Sequence, residues 1–293
     1  MATETVFDGA DSRPSSVELT GEEVLILESL AREVTASPSD EAELFCQQVK
    51  SLSARVPERI RKDLAVFAER GCPNGFFLIK GCRVDDEALG PTPAGNIYKR
   101  GEATLLARIQ AIIVSACNNA DMIAYEAEGY GRLFQDVVPI QAMAKMQTSV
   151  GSGVELEIHT EQAFSRIRPD LLSLACLRGD PKANTHIFPV QFILDGMTAE
   201  EKQILRQPLW LTKVDLSFKM NDNYEFLDGD VRGPMPIIWG SEDDPKLVFD
   251  QDLMEGITPE SHALVKKIVD IYYKVGLTFC SSFVLKPSAL ANG

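Results

Sequence analysis

The residues of this chain best suited to chemistry are His159 and Glu161, which stand two positions apart in a segment that reads as a strand. In an extended backbone, side chains at positions i and i+2 leave the same face. An imidazole and a carboxylate on one face can bind one metal ion, and a distant second histidine would complete the ligand set of non-haem Fe(II) oxygenases. A His-x-Glu triplet alone recurs by chance in many chains, so the surrounding sequence must support the metal site.

Several segments around this pair follow one another in an order typical of a known family. They are residues 75–81, 84–93, 136–140, 159–164 and 168–178, together with Thr185. In this order they resemble the clavaminate synthase-like branch of the Fe(II)/2-oxoglutarate-dependent dioxygenases, especially the β-hydroxylases of arginine, lysine and asparagine. The resemblance covers about two thirds of the chain.

The resemblance implies an enzyme that binds Fe(II), uses 2-oxoglutarate and O₂, and hydroxylates a free amino acid, a cationic one such as arginine or lysine. His159 and Glu161 would be metal ligands, and Thr185 would bind 2-oxoglutarate. The substrate site would contain Glu128 and Arg168 near the α-amino and α-carboxylate groups, Asp215 and Ser217 facing the substrate, and Asp250 and Asp252 at its cationic end. Two carboxylates at i and i+2 can share a face, which suits a guanidinium or an ammonium group.

Each of these residues also has a plainer explanation. Thr185 can be an ordinary β-branched strand residue, and Arg168 can lie on the surface beside Pro169. Acidic pairs are common in a chain this acidic, as residues 242–244 show. The sequence leaves both explanations open.

The chain departs from the family pattern near its C-terminal end. Residues 283–287 match a family turn. Residues 288–293, which follow them, contain neither the family's distal histidine ligand nor the arginine that binds 2-oxoglutarate. The other histidines, His186 and His262, match neither position. We therefore expect weak Fe(II) binding. The alternative function is a catalytically impaired, truncated homologue or pseudoenzyme that acts as a binding or regulatory module.

The composition excludes several other classes of protein. With 29 basic and 43 acidic residues the net charge is −14, which disfavours nucleic acid and anionic membranes as partners. The six cysteines show no Cys-x-x-Cys spacing, which is typical of a reduced, intracellular protein. Residues 1–16 lack the pattern of a secretory signal, and the longest apolar run, 111–117, is far shorter than a membrane span. We expect a cytoplasmic protein, and the sequence does not indicate its oligomeric state.

The elements that must position these residues divide into three regions: a polar leader (1–18), a helical segment (19–72) and a dioxygenase domain (73–293). The first helix is predicted to begin at an N-cap sequence, 20–23. Two further helical patterns cover 41–51 and 56–70, and Gly71 is a stop signal for the last of them. Strand candidates are 76–79, 137–140, 171–177, 186–194, 209–214, 237–239 and 246–249, with helices over 103–119 and 259–277. Many short strands with flanking helices predict a mainly β (α+β) fold, a double-stranded β-helix or jelly roll that is incomplete at its C-terminus.

Overall fold

A computed structural model of the chain describes residues 15–72, 74–94, 103–125, 131–180, 182–215, 231–276, 281–283 and 290–292. The described residues form a mixture of helices and short strands, which agrees with the α+β part of the predicted fold class. Within these ranges no helix has the length and apolar character needed to cross a membrane.

The N-terminal helices begin and end close to the predicted residues. They are α1 Gly21–Glu33, α2 Ala42–Ser53 and α3 Glu58–Arg70. At the start of α1, the Glu23 N–H donates to the Thr20 hydroxyl at 3.2 Å, and the Thr20 N–H donates to the Glu23 carboxylate at 2.8 Å. This capping box satisfies two N–H groups that would otherwise lack partners at the start of a helix. Helix α3 ends at Gly71, whose φ of 59° is accessible to glycine at little cost.

The first hydrophobic core joins this helical segment to a four-stranded sheet. In spatial order the strands are β1 Ser16–Glu18, β2 Phe77–Lys80, β11 Leu290–Asn292 and β3 Ser173–Ala175. Two further helices are α4 Asp86–Leu89 and the apolar α5 Leu105–Ala116, which packs against α1 and α2. Phe45, Phe77 and Ile112 belong to one buried cluster, so this core extends across residue 72. The domain boundary predicted there stays a prediction.

A second core lies between the remaining sheets and helices. The strands are β4 Thr185–Ile187, β5 Trp210–Lys213, β6 Val231–Met235, β7 Ile238–Gly240, β8 Pro245–Leu247, β9 Met254–Gly256 and β10 Ser281–Phe283. The helices are α6 Val190–Asp195, α7 Ala199–Leu205 and α8 Pro259–Ile271. Strand β5 lies between β6 and β9, while β7 pairs with β8 and β4 with β10, all antiparallel. Trp210 of β5 is fully buried, and its indole N–H donates to the Ser261 carbonyl of α8 at 3.1 Å. This bond fixes β5 against α8.

Proline explains two differences from the predicted strands. Residues 137–140 form no strand, because Pro139 has no N–H to donate to a ladder, and a 3-10 turn, Gln141–Met143, follows. The strand predicted over 186–194 ends at Ile187. Pro189 then precedes helix α6 as its N-cap residue, since proline has no N–H to donate to a central strand and its fixed φ is tolerated at the start of a helix. The helix predicted over 259–277 is regular to Ile271, after which a π turn follows.

Candidate metal centre and substrate site

His159 lies opposite Asp250 in an isolated antiparallel bridge. A backbone hydrogen bond on each side of the pair, of 2.7 Å and 3.0 Å, closes the bridge. Because these bonds flank the two residues, their side chains lie close together on one face. The adjacent Ile158 and Phe249 point to the opposite face and pack in the second core. The bridge therefore holds an imidazole and a carboxylate side by side, facing away from the core.

The imidazole of His159 is oriented by its own chain segment. Its Nδ1 lies 2.7 Å from the backbone carbonyl oxygen of Glu157. A carbonyl oxygen only accepts, so this contact places a proton on Nδ1, and in the neutral imidazole it is the Nε2 lone pair that remains for a ligand. A neutral imidazole with its second nitrogen bonded in this way is the common form of a histidine metal ligand.

Glu161 and Asp215 bring further carboxyl groups to the same place. Glu161 is half-buried just after the bridge, and Asp215 is half-buried just after β5. Burial raises the pKa of the Glu161 carboxyl above its usual range, while the nearby imidazole of His159 lowers this pKa and the Asp215 carboxylate raises it. We define the His159 cluster as His159, Glu161, Asp215 and Asp250. Glu161 and Asp250 each lie within electrostatic reach of both His159 and Asp215, and a bound cation would relieve the repulsion of Asp215 with these two carboxyl groups.

Asp250 also starts the tight turn that leads from the bridge to β9. Its Oδ1 accepts hydrogen bonds from the backbone N–H groups of Leu253 at 2.8 Å and of Asp252 at 3.0 Å. Burial raises the pKa of the Asp250 carboxyl; the two N–H donors and His159 lower this pKa, and Asp215 raises it. Asp252 itself is exposed. The turn therefore uses one oxygen of Asp250.

Glu157 is a residue of this site that the sequence reasoning missed. One oxygen of its half-buried carboxyl is shielded from solvent without a hydrogen-bond partner. Burial raises the pKa of this carboxyl, and the carboxylates of Asp252 and Asp250 raise it further. A signal was available in the sequence, because Glu157, His159 and Glu161 stand at alternate positions and would share one face of a strand.

Three other predicted residues lie elsewhere or outside the described ranges. Thr185 is half-buried at the start of β4, opposite Phe283 of β10, and no described contact joins it to the His159 cluster. Glu128 and Ser217 lie outside the described residues. Their roles stay predictions.

Arg168 is held by two neighbours. Its guanidinium lies 5.7 Å from the centre of the Trp239 ring, and it donates to the Ser165 carbonyl at 2.9 Å. Burial lowers the pKa of Arg168, and the Asp170 carboxylate raises it. The predicted role of Arg168 in substrate binding stays a prediction.

The described residues supply two candidate metal ligands, His159 and Glu161, but not a complete set. Within the ranges that the structure describes, no group of three His, Cys, Asp or Glu side chains is arranged to hold a metal ion. His186 in β4 and His262 in α8 are both exposed. An imidazole held through Nδ1, with a carboxyl group nearby, nevertheless fits two of the three protein positions of a non-haem Fe(II) site.

Comparison with known proteins identifies the family. No family model matches the chain. The chain is 42% identical over 278 residues to L-lysine 3-hydroxylase of Catenulispora acidiphila, an alignment that covers 95% of this chain and 76% of that protein. It is 28% identical over 234 residues to clavaminate synthase 2 of Streptomyces clavuligerus, covering 77% of this chain and 68% of that protein. The chain belongs to the clavaminate synthase-like family of Fe(II)/2-oxoglutarate-dependent oxygenases. The resemblance seen in the sequence is thereby confirmed.

A solved structure supports the same assignment. Asparagine oxygenase, in complex with Fe(II), 2S,3S-3-hydroxyasparagine and succinate, matches with a TM-score of 0.80 at 27% identity, covering 95% of this chain and 84% of that one. As a member of this family, the protein is an oxidoreductase that depends on Fe(II) and 2-oxoglutarate.

Proposed function

We propose that this protein hydroxylates the side chain of a free cationic amino acid, with L-lysine as the first candidate, and that it consumes 2-oxoglutarate and O₂. The observation that carries the proposal is the position of Asp250, which the bridge places beside His159. A cationic side chain bound by Asp250 would lie next to the metal. The 42% identity to an L-lysine 3-hydroxylase supports lysine over arginine.

We assign His159 and Glu161 as the Fe(II) ligands within the described residues. The Glu157 carbonyl holds a proton on Nδ1 of His159, so Nε2 is the nitrogen of the neutral imidazole that would bind the metal. Bound Fe(II) and 2-oxoglutarate would supply the oxidising power to convert a C–H bond into C–OH, with succinate and CO₂ as the other products.

The chain's own residues would bind and orient the substrate. The turn uses Oδ1 of Asp250, so its second oxygen can accept a hydrogen bond from a substrate ammonium group. Asp215 and Asp252 would add negative charge around that group. From the family pattern we further propose Thr185 as a 2-oxoglutarate contact, and Glu128, Arg168 and Ser217 as substrate contacts.

We also propose that the short sheets of the second core are parts of a jelly roll. The support is the match to asparagine oxygenase together with the antiparallel pairing of β4 to β10 and of β5 to β6 and β9. We further propose that the chain divides into a leader (1–18), a helical segment (19–72) and a dioxygenase domain (73–293).

Anaerobic calorimetric titration with Fe(II) tests the metal assignment. His159→Ala and Glu161→Ala should each abolish the binding that the unmodified chain shows. His262→Ala is the matched control, since it removes an exposed imidazole of α8 and should leave binding unchanged. Unchanged binding in His159→Ala would refute the assignment, and a loss in His186→Ala would identify a further ligand.

Succinate formation with different amino acids tests the substrate. We expect lysine to stimulate it most, arginine less, and asparagine least. Equal stimulation by asparagine would refute the preference for a cation. Intact Fe(II) binding without succinate from any amino acid would favour the alternative, a binding or regulatory module.

A further inference from the structure

The loop before His159 is wound tightly on itself. The Ile140 N–H donates to the Val150 carbonyl at 3.0 Å, and the Gly153 N–H donates to the Ala144 carbonyl at 2.7 Å. A Cβ at Gly151 would lie 2.5 Å from the Met146 carbonyl oxygen, so the winding requires glycine there. Backbone bonds of this kind give the loop a defined shape from which a side chain can act.

Gln147 projects from this loop and binds the segment that leads to His159. Its Nε2 donates to the Glu155 carbonyl at 3.1 Å, and its Oε1 accepts from the Glu157 N–H at 3.1 Å. One carboxamide thus holds two successive peptide groups, as a neighbouring strand would. The following peptide group carries the Glu157 carbonyl, which is the acceptor for His159 Nδ1 at 2.7 Å.

The Glu157 carbonyl therefore lies between two restraints. On its N-terminal side is the carboxamide of Gln147, and on its C-terminal side is the bridge, where the Gln251 N–H donates to the Ile158 carbonyl at 3.0 Å. If the first restraint is lost, the peptide group of Glu157 can rotate and its carbonyl can leave Nδ1. The imidazole is then free to carry its proton on Nε2, the nitrogen that a metal needs unprotonated.

We propose that Gln147 is a positioning residue for the metal-binding imidazole: through the Glu157 backbone it fixes the tautomer and the orientation of His159. This inference rests on the proposed function of His159 as a metal ligand. Partners outside the ligand set of a metal site typically change metal affinity by about 10–100-fold. Gln147 acts through one further residue, so we expect a weakening near the lower end, roughly tenfold.

A matched control separates positioning from general stability. Gln48 also joins two segments through its carboxamide, accepting from the backbone N–H groups of Thr35 at 2.9 Å and Ala36 at 3.0 Å. It lies on α2, in the first core region, and binds nothing near His159. Gln147→Met and Gln48→Met therefore remove comparable hydrogen bonds, but only the first affects the Glu157 carbonyl.

The first measurement is the tautomer of His159 in the metal-free full chain, from ¹⁵N chemical shifts after selective histidine labelling. The chain has 3 histidines, so His159→Ala assigns the relevant signals. We expect the Nδ1–H form in the unmodified chain and in Gln48→Met, and a mixture of both tautomers in Gln147→Met. Gln147→Glu keeps the acceptor for the Glu157 N–H and loses the donor to Glu155, so it should give a smaller change.

The second measurement is the affinity for Co(II), an oxygen-stable probe, by calorimetry on the same variants. We expect Gln147→Met to raise the Kd roughly tenfold and Gln48→Met to leave it unchanged. If Gln147→Met leaves both the His159 tautomer and the Kd for Co(II) unchanged while His159→Ala loses binding, the positioning role of Gln147 is refuted but the metal role of His159 is not. Undiminished Co(II) binding in His159→Ala would instead overturn the proposed metal role of His159, and with it the inference.

Discussion

Replacing Asp250 with asparagine should remove the preference for lysine without disturbing the fold. Asparagine keeps the Oδ1 acceptor that receives the Leu253 and Asp252 N–H groups at 2.8 Å and 3.0 Å, so the turn survives. The second oxygen becomes an NH₂ group, which donates and cannot accept from an ammonium group. A charge-assisted hydrogen bond contributes about 1.5–3 kcal/mol, and at about 1.4 kcal/mol per tenfold this corresponds to about 10- to 150-fold. We expect kcat/KM for lysine to fall at least about tenfold.

The assay compares kcat/KM for lysine and for norleucine, which lacks the side-chain ammonium group. Asp250→Asn should lower the value for lysine and leave that for norleucine nearly unchanged. Asp244→Asn is the matched control, because Asp244 is exposed and paired with Lys246 at 3.0 Å, away from the His159 cluster. Asp250→Ala should also lower the melting temperature, since it leaves two backbone N–H groups without their acceptor. If Asp250→Asn keeps the lysine-to-norleucine ratio of the unmodified enzyme, Asp250 does not bind the cation.

Three further predictions concern stability. Gly256→Ala should lower the free energy of unfolding in urea by about 3 kcal/mol, because a Cβ there would lie 2.2 Å from the backbone nitrogen of His262. Gly21→Ala is the control and should leave the free energy of unfolding unchanged, because a Cβ there meets nothing within 4 Å. Equal stabilities of the two variants would contradict this packing. Lys267→Met should cost about 1 kcal/mol at neutral pH, since Lys267 bonds Glu201 at 2.6 Å and holds the pKa of that carboxyl below its usual value. A depressed carboxyl pKa stabilises the fold above the unfolded-state pKa, so the difference between variant and parent should vanish as the pH falls through the folded-state pKa, and a pH-independent difference would exclude the ion pair as its cause. Trp210→Phe should cost about 2 kcal/mol by chemical denaturation, because it removes the indole donor to a buried carbonyl and leaves a small cavity; an unchanged midpoint would contradict this.

Local signals in the sequence predict the helices of this chain well. The capping box at Thr20 and Glu23 and the stop at Gly71 depend on residues close together in the chain, and the structure places both as expected. Proline is also a local signal, and attention to Pro139 and Pro189 would have corrected the two strand predictions. What local patterns cannot give is pairing between distant segments. Thr160 and Phe249, which flank the bridge, are 89 residues apart, and no periodicity links them.

The same distinction applies to the candidate site. The pairing of His159 with Glu161 follows from their spacing, but the place of Asp250 beside His159 depends on the bridge. The bridge gives Asp250 two connected roles, because its Oδ1 closes the turn to β9 while its backbone is paired with that of His159. A cation bound by Asp250 is therefore located by the same backbone bonds that locate His159. If His159 holds the metal, the backbone hydrogen bonds of the bridge, rather than a long side chain, fix the position of the substrate's charged group relative to the metal. Variants that weaken the bridge should therefore impair metal binding and cation preference together, whereas Asp250→Asn should impair the preference alone.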